Sequence, residues 1–204
     1  ITTNGTLLRK EVRRFLIENN FSTMVSLDGP QKMHDVARRF KNGRGSFQEI
    51  EPLIKALTRE AAYAGMGIQG RTTLNRYHLE HVEELYDFLD RKMEFSAIST
   101  PLIHRPAPAE FNFSEADLPQ LEADLGRLGD RVVDRAAREG KLPSYGLFSF
   151  LDVLRERARP TRGCAAGRRA VTVDYDGKLY PCERFIGQLD YCLGDVFSGQ
   201  LRLD

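Results

Sequence analysis

Residues 22–30 read Ser22-Thr23-Met24-Val25-Ser26-Leu27-Asp28-Gly29-Pro30, a β-rich run closed by a turn signal. Working outward from it, Ile1, Thr2 and Thr3 end an earlier strand, and Leu8, Val12, Phe15 and Leu16 then recur at helical spacing. On the other side, Ser46-Phe47-Gln48-Glu49 has the form of a capping box, with a hydroxyl to accept from an orphan N–H and a carboxylate to reach back. Phe47, Ile50, Leu53, Ile54, Leu57 and Ala61 line one face of the helix behind it. Pro52 falls in that run and moves the expected start a few residues later, and Gly65 ends it. Residues 67–74 and 95–100 read as two further strands around a helix whose apolar face is Leu79, Val82, Leu85 and Leu89. Strand and helix alternating over short joints imply parallel βα units, and right-handed crossovers curl four of them into part of a (β/α) barrel.

A second box, Ser114-Glu115-Ala116-Asp117, opens a helix carrying Leu118, Leu121, Leu125, Leu128 and Val132. Residues 101–113, with three prolines, join it to the preceding strand. After Gly140 the character changes, through an apolar stretch at 147–154 into a Cys- and Gly-rich region of alternating strands. We therefore expect two domains, 1–142 and 143–204, with the boundary near Pro143.

Composition narrows the function classes. The 204 residues carry a net charge of +1, which gives no global attraction to nucleic acid or anionic membranes. No apolar run is long enough to span a bilayer, and no signal peptide is visible. Cys164, Cys182 and Cys192 all fall in the last quarter. Their odd number argues against a disulfide framework and for a reducing, cytoplasmic setting. The chain opens on Ile1 without an initiator Met and stops at Asp204 without a tail, so it reads as a piece of a longer protein.

In a parallel α/β barrel chemistry sits at the C-terminal strand ends. These are Thr3 and Asn4, Ser26 and Asp28, Thr72 and Thr73, and Thr100 with His104. Any one of them alone is more simply a turn former. Together, Thr3-Asn4-Gly5, then Val25-Ser26-Leu27-Asp28-Gly29-Pro30, His34-Asp35-Val36-Ala37-Arg38 and Asn42-Gly43-Arg44-Gly45-Ser46-Phe47 resemble the third and fourth βα units of radical-SAM peptide maturases. The resemblance implies that Ser26 contacts the methionine moiety of S-adenosylmethionine, with Asp28 beside it. A small hydroxyl can hydrogen-bond ammonium or carboxylate without crowding either. Arg38 is a second candidate for the carboxylate, with a plain exposed helix arginine as the alternative.

The C-terminal region carries the most specific signal. Cys164 is followed by Ala170-Val171-Thr172-Val173-Asp174-Tyr175 and then Asp176-Gly177-Lys178-Leu179-Tyr180-Pro181-Cys182. Val171, Val173 and Tyr175 alternate, and Asp-Gly marks a hairpin that returns Cys182 toward Cys164. Two thiols so joined suggest metal ligation, buried free thiols being the alternative. Twelve residues separate Cys164 from Gly177 and four separate Gly177 from Cys182. This resembles the opening of the SPASM motif, and Leu193-Gly194-Asp195-Val196 resembles the glycine phrase that follows it. The resemblance implies that Cys164 and Cys182 ligate an auxiliary [4Fe–4S] cluster. It also implies that Glu183 stands where some sulfatase-maturing members keep a proton-accepting carboxylate. A salt bridge from Glu183 to Arg184 is the bland alternative. Cys192 has no place in the motif and reads as a core thiol.

Other features carry less. Arg155, Arg157, Arg159, Arg162, Arg168 and Arg169 surround Cys164 without interleaved aromatics, which disfavours a nucleic-acid surface. His78 and His81 lie three apart among Glu80, Glu83 and Glu84, a solvent face in preference to a metal site.

The resemblance implies an α/β fold, the C-terminal part of a partial (β/α)6 radical-SAM barrel followed by the start of a SPASM-type domain. It further implies S-adenosylmethionine and [4Fe–4S] clusters as cofactors, a peptide or protein substrate attacked by a 5′-deoxyadenosyl radical, and a reductant such as flavodoxin or ferredoxin. No membrane or nucleic-acid partner is implied. The family's Cys-x3-Cys-x2-Cys loop is absent, since no cysteine precedes Cys164. This chain alone is thus not expected to generate the radical. The alternative is a non-catalytic peptide-binding scaffold with a zinc- or iron–sulfur-stapled hairpin.

Overall fold

The computed structural model describes residues 1–103, 108–146, 166–167 and 171–201. The chain divides into two compact units, Ile1–Asp152 and Val153–Asp204, a division that falls past the Pro143 marked by composition.

In the first unit, β1 (Thr2–Thr3), β2 (Met24–Ser26), β3 (Gln69–Arg71) and β4 (Ala97–Ser99) form one sheet in sequence order. All pairings are parallel, with Thr2 opposite Met24, Ser26 opposite Arg71, and Arg71 opposite Ser99. Helix α1 (Lys10–Glu18) follows β1, and α2 (Gln31–Ala37) and α3 (Phe47–Tyr63) follow β2. Helix α4 (Val82–Asp87) follows β3 and runs on through a π-turn at Phe88–Lys92, and α5 (Leu118–Glu139) follows β4. A further parallel bridge joins Ile98 to Tyr145, with the Ile98 N–H donating to the Ser144 carbonyl at 2.9 Å.

Period-2 alternation sets the sheet's two faces. Val25, Leu27 and Ile98 are buried among α3 and α4 residues such as Ile54, Leu57, Leu85 and Leu89 in one core. Met24, Ser26, Gln69, Ala97 and Ser99 are only half-buried on the opposite face. The strands of the sequence reading are all present, each shorter than drawn, and the helix faces of α3, α4 and α5 hold except at their ends.

Helix α1 departs from expectation. Leu8 and Leu16 are buried, but Val12 and Phe15 are exposed, and Arg13 takes their place at 8% exposure. Its guanidinium makes a two-point pair with Glu60 of α3 at 2.9 and 2.7 Å and donates to the Leu8 carbonyl at 2.8 Å. A fully hydrogen-bonded arginine can be buried where an unpaired one cannot. Helix α3 starts at Phe47 as its box suggested, yet Ser46 does not cap it. Asp35 does, accepting from the Phe47 N–H at 3.0 Å. Pro52 lies inside the helix and does not delay its start. Pro52 and Gln48, four residues before it, are both exposed, a position where a missing donor is tolerated.

The Ser114 box forms as read, with the Asp117 carboxylate reaching back to the Ser114 N–H at 2.8 Å, and α5 ends at Gly140 in the left-handed region. Helix α5 is tied to α4 by arginines one turn apart: Arg127 to Glu83, Arg131 to Glu83 and Asp87, and Arg135 to Asp90.

In the second unit β5 (Thr172–Val173), β6 (Lys178–Tyr180), β7 (Gly194–Asp195) and β8 (Gln200–Leu201) make an antiparallel sheet in sequence order. The Asp-Gly hairpin joins β5 to β6, Gly177 taking φ +87° to complete the turn.

Candidate functional site

The C-terminal end of β2 is built around Asp28. Its side chain is almost wholly buried and makes a two-point pair with Arg38 through Nε (2.5 Å) and Nη2 (3.3 Å). Oδ1 also accepts from the Thr73 N–H at 3.2 Å, tying the end of β2 to the loop after β3. The backbone of Asp28 is held by two imidazoles. Its N–H donates to His34 Nδ1 at 3.2 Å, and its carbonyl accepts from His78 Nε2 at 3.2 Å. Behind it, Gly29 at φ +99° leaves no room for a side chain, since a Cβ there would lie 2.9 Å from both Leu85 and Met33.

These contacts fix both tautomers. His34 accepts at Nδ1, so its proton sits on Nε2, 3.0 Å from Ser46 Oγ, and the Ser46 hydroxyl in turn donates a hydrogen bond to the Arg38 carbonyl at 2.9 Å. His78 accepts the Asn75 N–H at Nδ1 (3.1 Å) and donates from Nε2. Burial pushes His34 down to about 4, a shift that Asp28 opposes and Arg38 reinforces. Burial also lowers His78, against the pull of the Asp28 carbonyl and carboxylate. Both rings are neutral at pH 7, as their bonding requires.

Several sequence expectations change here. Arg38 is not a free surface arginine: it follows α2 directly and its guanidinium is docked on Asp28, 30% exposed. His78 is buried and does not share a solvent face with His81, which pairs with Glu84 in the open. Sequence reasoning gave His34, Ser46 and His78 no part in this site. No local signal marked the histidines, since His34 sits in Gln31-Lys32-Met33-His34-Asp35 and His78 in Arg76-Tyr77-His78-Leu79-Glu80, neither an apolar run.

With Asp28 so occupied, what faces outward is Ser26, whose half-buried hydroxyl makes no hydrogen bond among the described residues, and the edge of Arg38 turned away from Asp28. This is a rigid strand end presenting a hydroxyl and a fixed guanidinium. Such a pair of donors suits a carboxylate.

In the second unit, Cys164 lies outside the described residues, as do His104 and Arg155, Arg157, Arg159, Arg162, Arg168 and Arg169. Cys182 and Cys192 are free thiols, and Cys192 is half-buried and not a core residue, its Sγ donating to the Gly194 carbonyl at 3.3 Å. The Gly167 N–H donates to the Pro181 carbonyl at 3.1 Å, so the chain three residues after Cys164 meets the residue before Cys182. Glu183 and Arg184 are both exposed and form no ion pair with each other. Among the described residues no three His, Cys, Asp or Glu side chains cluster as a metal site, and no helix is long and apolar enough to cross a membrane.

No protein-family model matches the chain. It is 26% identical to a cysteine-type anaerobic sulfatase-maturating enzyme of Clostridium novyi over 91% of its own length and 49% of the relative. It is equally similar to a serine-type anaerobic sulfatase-maturating enzyme of Bacteroides thetaiotaomicron, over 98% of the chain and 51% of the relative. Among solved structures, anSMEcpe with bound AdoMet matches 99% of the chain at a TM-score of 0.81 and 20% identity, over 55% of that protein. Streptococcus suis SuiB bound to its precursor peptide SuiA matches 100% of the chain at 0.65 and 19%, over 47% of that protein. The chain spans about half the length of the relatives it matches. Over nearly all its length the chain is thus similar to anaerobic sulfatase-maturating enzymes, in keeping with the resemblance read from its sequence.

Proposed function

We propose that this chain forms part of a radical S-adenosylmethionine enzyme that modifies a peptide or protein substrate. In this reading the first unit is the substrate-side part of a partial (β/α)6 barrel and the second the opening of a SPASM-type domain. The observation that carries it is the β2 strand end, where Asp28 is immobilised from every side and Ser26 and the outer edge of Arg38 are left for a ligand. The AdoMet and peptide named with the related structures support the choice of ligand and substrate.

Bound S-adenosylmethionine, with its methionine end held by Ser26 and Arg38, would supply the radical chemistry by which the substrate is modified. The residues present fit the methionine end of that cofactor: Ser26 offers a hydroxyl able to donate or accept, and Arg38 a guanidinium already oriented by Asp28. The Asp28 network keeps that geometry before the ligand arrives, so little ordering remains to be done on binding. Cys182, joined through Pro181 to the segment after Cys164, is assigned with Cys164 to an auxiliary cluster. Glu183, exposed beside Cys182 and free of Arg184, is assigned as the carboxylate that accepts a substrate proton.

The experiment is metal analysis of the full-length protein purified without oxygen, wild type and Cys182→Ala. The expected result is iron and sulfide in the wild type, with less iron per chain in the variant. Zinc alone, or iron unchanged by the substitution, contradicts the cluster assignment.

A further inference from the structure

Ser26, Arg71 and Ser99 form a row across three adjacent strands. The register places Ser26 beside Arg71 and Arg71 beside Ser99, and parallel neighbours stand about 4.8 Å apart. In-register residues of parallel strands project to the same face. That face is the open one: Val25, Gly70 and Ile98, one residue earlier on each strand, are buried under the helices. Arg71 itself is exposed and has no ion-pair partner among the described residues.

The backbone that carries Arg71 is fixed on both sides. Its carbonyl accepts from the Leu27 N–H at 2.9 Å, and the next residue, Thr72, donates its N–H to the Ser99 carbonyl at 3.0 Å. The buried Thr72 hydroxyl adds a bond of 2.6 Å to the Leu27 carbonyl, locking β3 to β2 just beyond the ladder. An arginine on so rigid a base, between two hydroxyls and without a carboxylate partner among the described residues, is equipped to receive one from outside.

We propose that Arg71, flanked by Ser26 and Ser99, is a carboxylate-binding residue of the site. The carboxylate belongs either to the methionine end of S-adenosylmethionine or to an acidic residue of the peptide substrate. The inference rests on the function proposed above and adds to it a second guanidinium, one strand beyond Ser26 and separate from Arg38.

The test is calorimetric binding to the full-length protein, wild type, Arg71→Gln and Arg71→Lys. The probes are S-adenosylmethionine, its decarboxylated analogue, and a substrate peptide with each acidic residue in turn replaced by its amide. Losing a charged two-point bond weakens binding by about tenfold or more, and lysine restores only part of it. If the cofactor supplies the carboxylate, Arg71→Gln weakens S-adenosylmethionine about tenfold and leaves the decarboxylated analogue nearly unchanged. If the substrate supplies it, the cofactor is unaffected, and the variant loses the preference for one acidic residue over its amide. Wild-type affinities for every probe in folded Arg71→Gln overturn the inference while leaving the proposed function intact. A wild-type protein that binds no S-adenosylmethionine overturns both.

Discussion

Asp28 and the two histidines around it make the residue-scale account testable by pH. His34 accepts the Asp28 N–H and is held neutral by burial, with Asp28, Asp35 and Arg38 as the charges acting on it. In the unfolded chain the same ring titrates near 6.5, whereas in the folded protein it titrates at about 4. Between those values the unfolded state binds the extra proton, so stability is full above 6.5 and falls as the pH is lowered toward 4. The loss is at most about 3 kcal/mol for His34, and His78 adds to it in the same direction. Urea midpoints measured from pH 7 to 4.5 are expected to fall more steeply in the wild type than in His34→Gln. That substitution can still accept from Asp28 and donate to Ser46 without titrating. Equal slopes would mean that His34 is not buried as a neutral ring. None of this was legible from residue types alone. The sequence marked Ser26, Asp28 and Arg38 through their resemblance to a strand-end phrase, but the imidazoles that hold Asp28 come from 6 and 50 positions away, beyond any local pattern.

At the scale of elements, periodicity located the four parallel strands and α1, α3, α4 and α5 but not α2, and it failed where a long-range polar partner outcompeted an apolar residue or a local cap. Arg13 is buried in α1 because Glu60 lies across from it on α3, and of the expected apolar stripe only Leu8 and Leu16 pack while Val12 and Phe15 stay exposed. The start of α3 is the second case. Ser46 had the sequence of a cap, but its hydroxyl is engaged with His34 and the Arg38 carbonyl, and Asp35 caps in its place. Asp35→Ala is therefore expected to lower stability by about 1 kcal/mol, the usual worth of an N-cap, read as a shift in urea midpoint at unchanged slope. No change would show that the Phe47 N–H finds water instead. The hairpin, by contrast, was fully legible, because an Asp-Gly turn between alternating residues needs no distant partner.

For the whole molecule, four parallel strands with helices covering one face leave a row of polar side chains at the C-terminal edge of the other. That edge is where parallel α/β proteins place their chemistry. Asp28, Arg38, His34 and His78 make the edge rigid, and Ser26 and Arg71 give it donors for an anionic group. The auxiliary-cluster reading belongs to the second unit, where the Gly167–Pro181 bond supports it and Cys164 lies outside the described residues. The function proposed above is radical chemistry on a peptide, and product analysis tests that proposal most directly. The full-length protein, reconstituted anaerobically with iron and sulfide, is incubated with S-adenosylmethionine and dithionite, and 5′-deoxyadenosine is quantified by mass spectrometry. 5′-Deoxyadenosine is expected in amounts that exceed the enzyme and fall sharply in Ser26→Ala, where the open hydroxyl is lost. Cluster-loaded protein that forms none would contradict the proposed function.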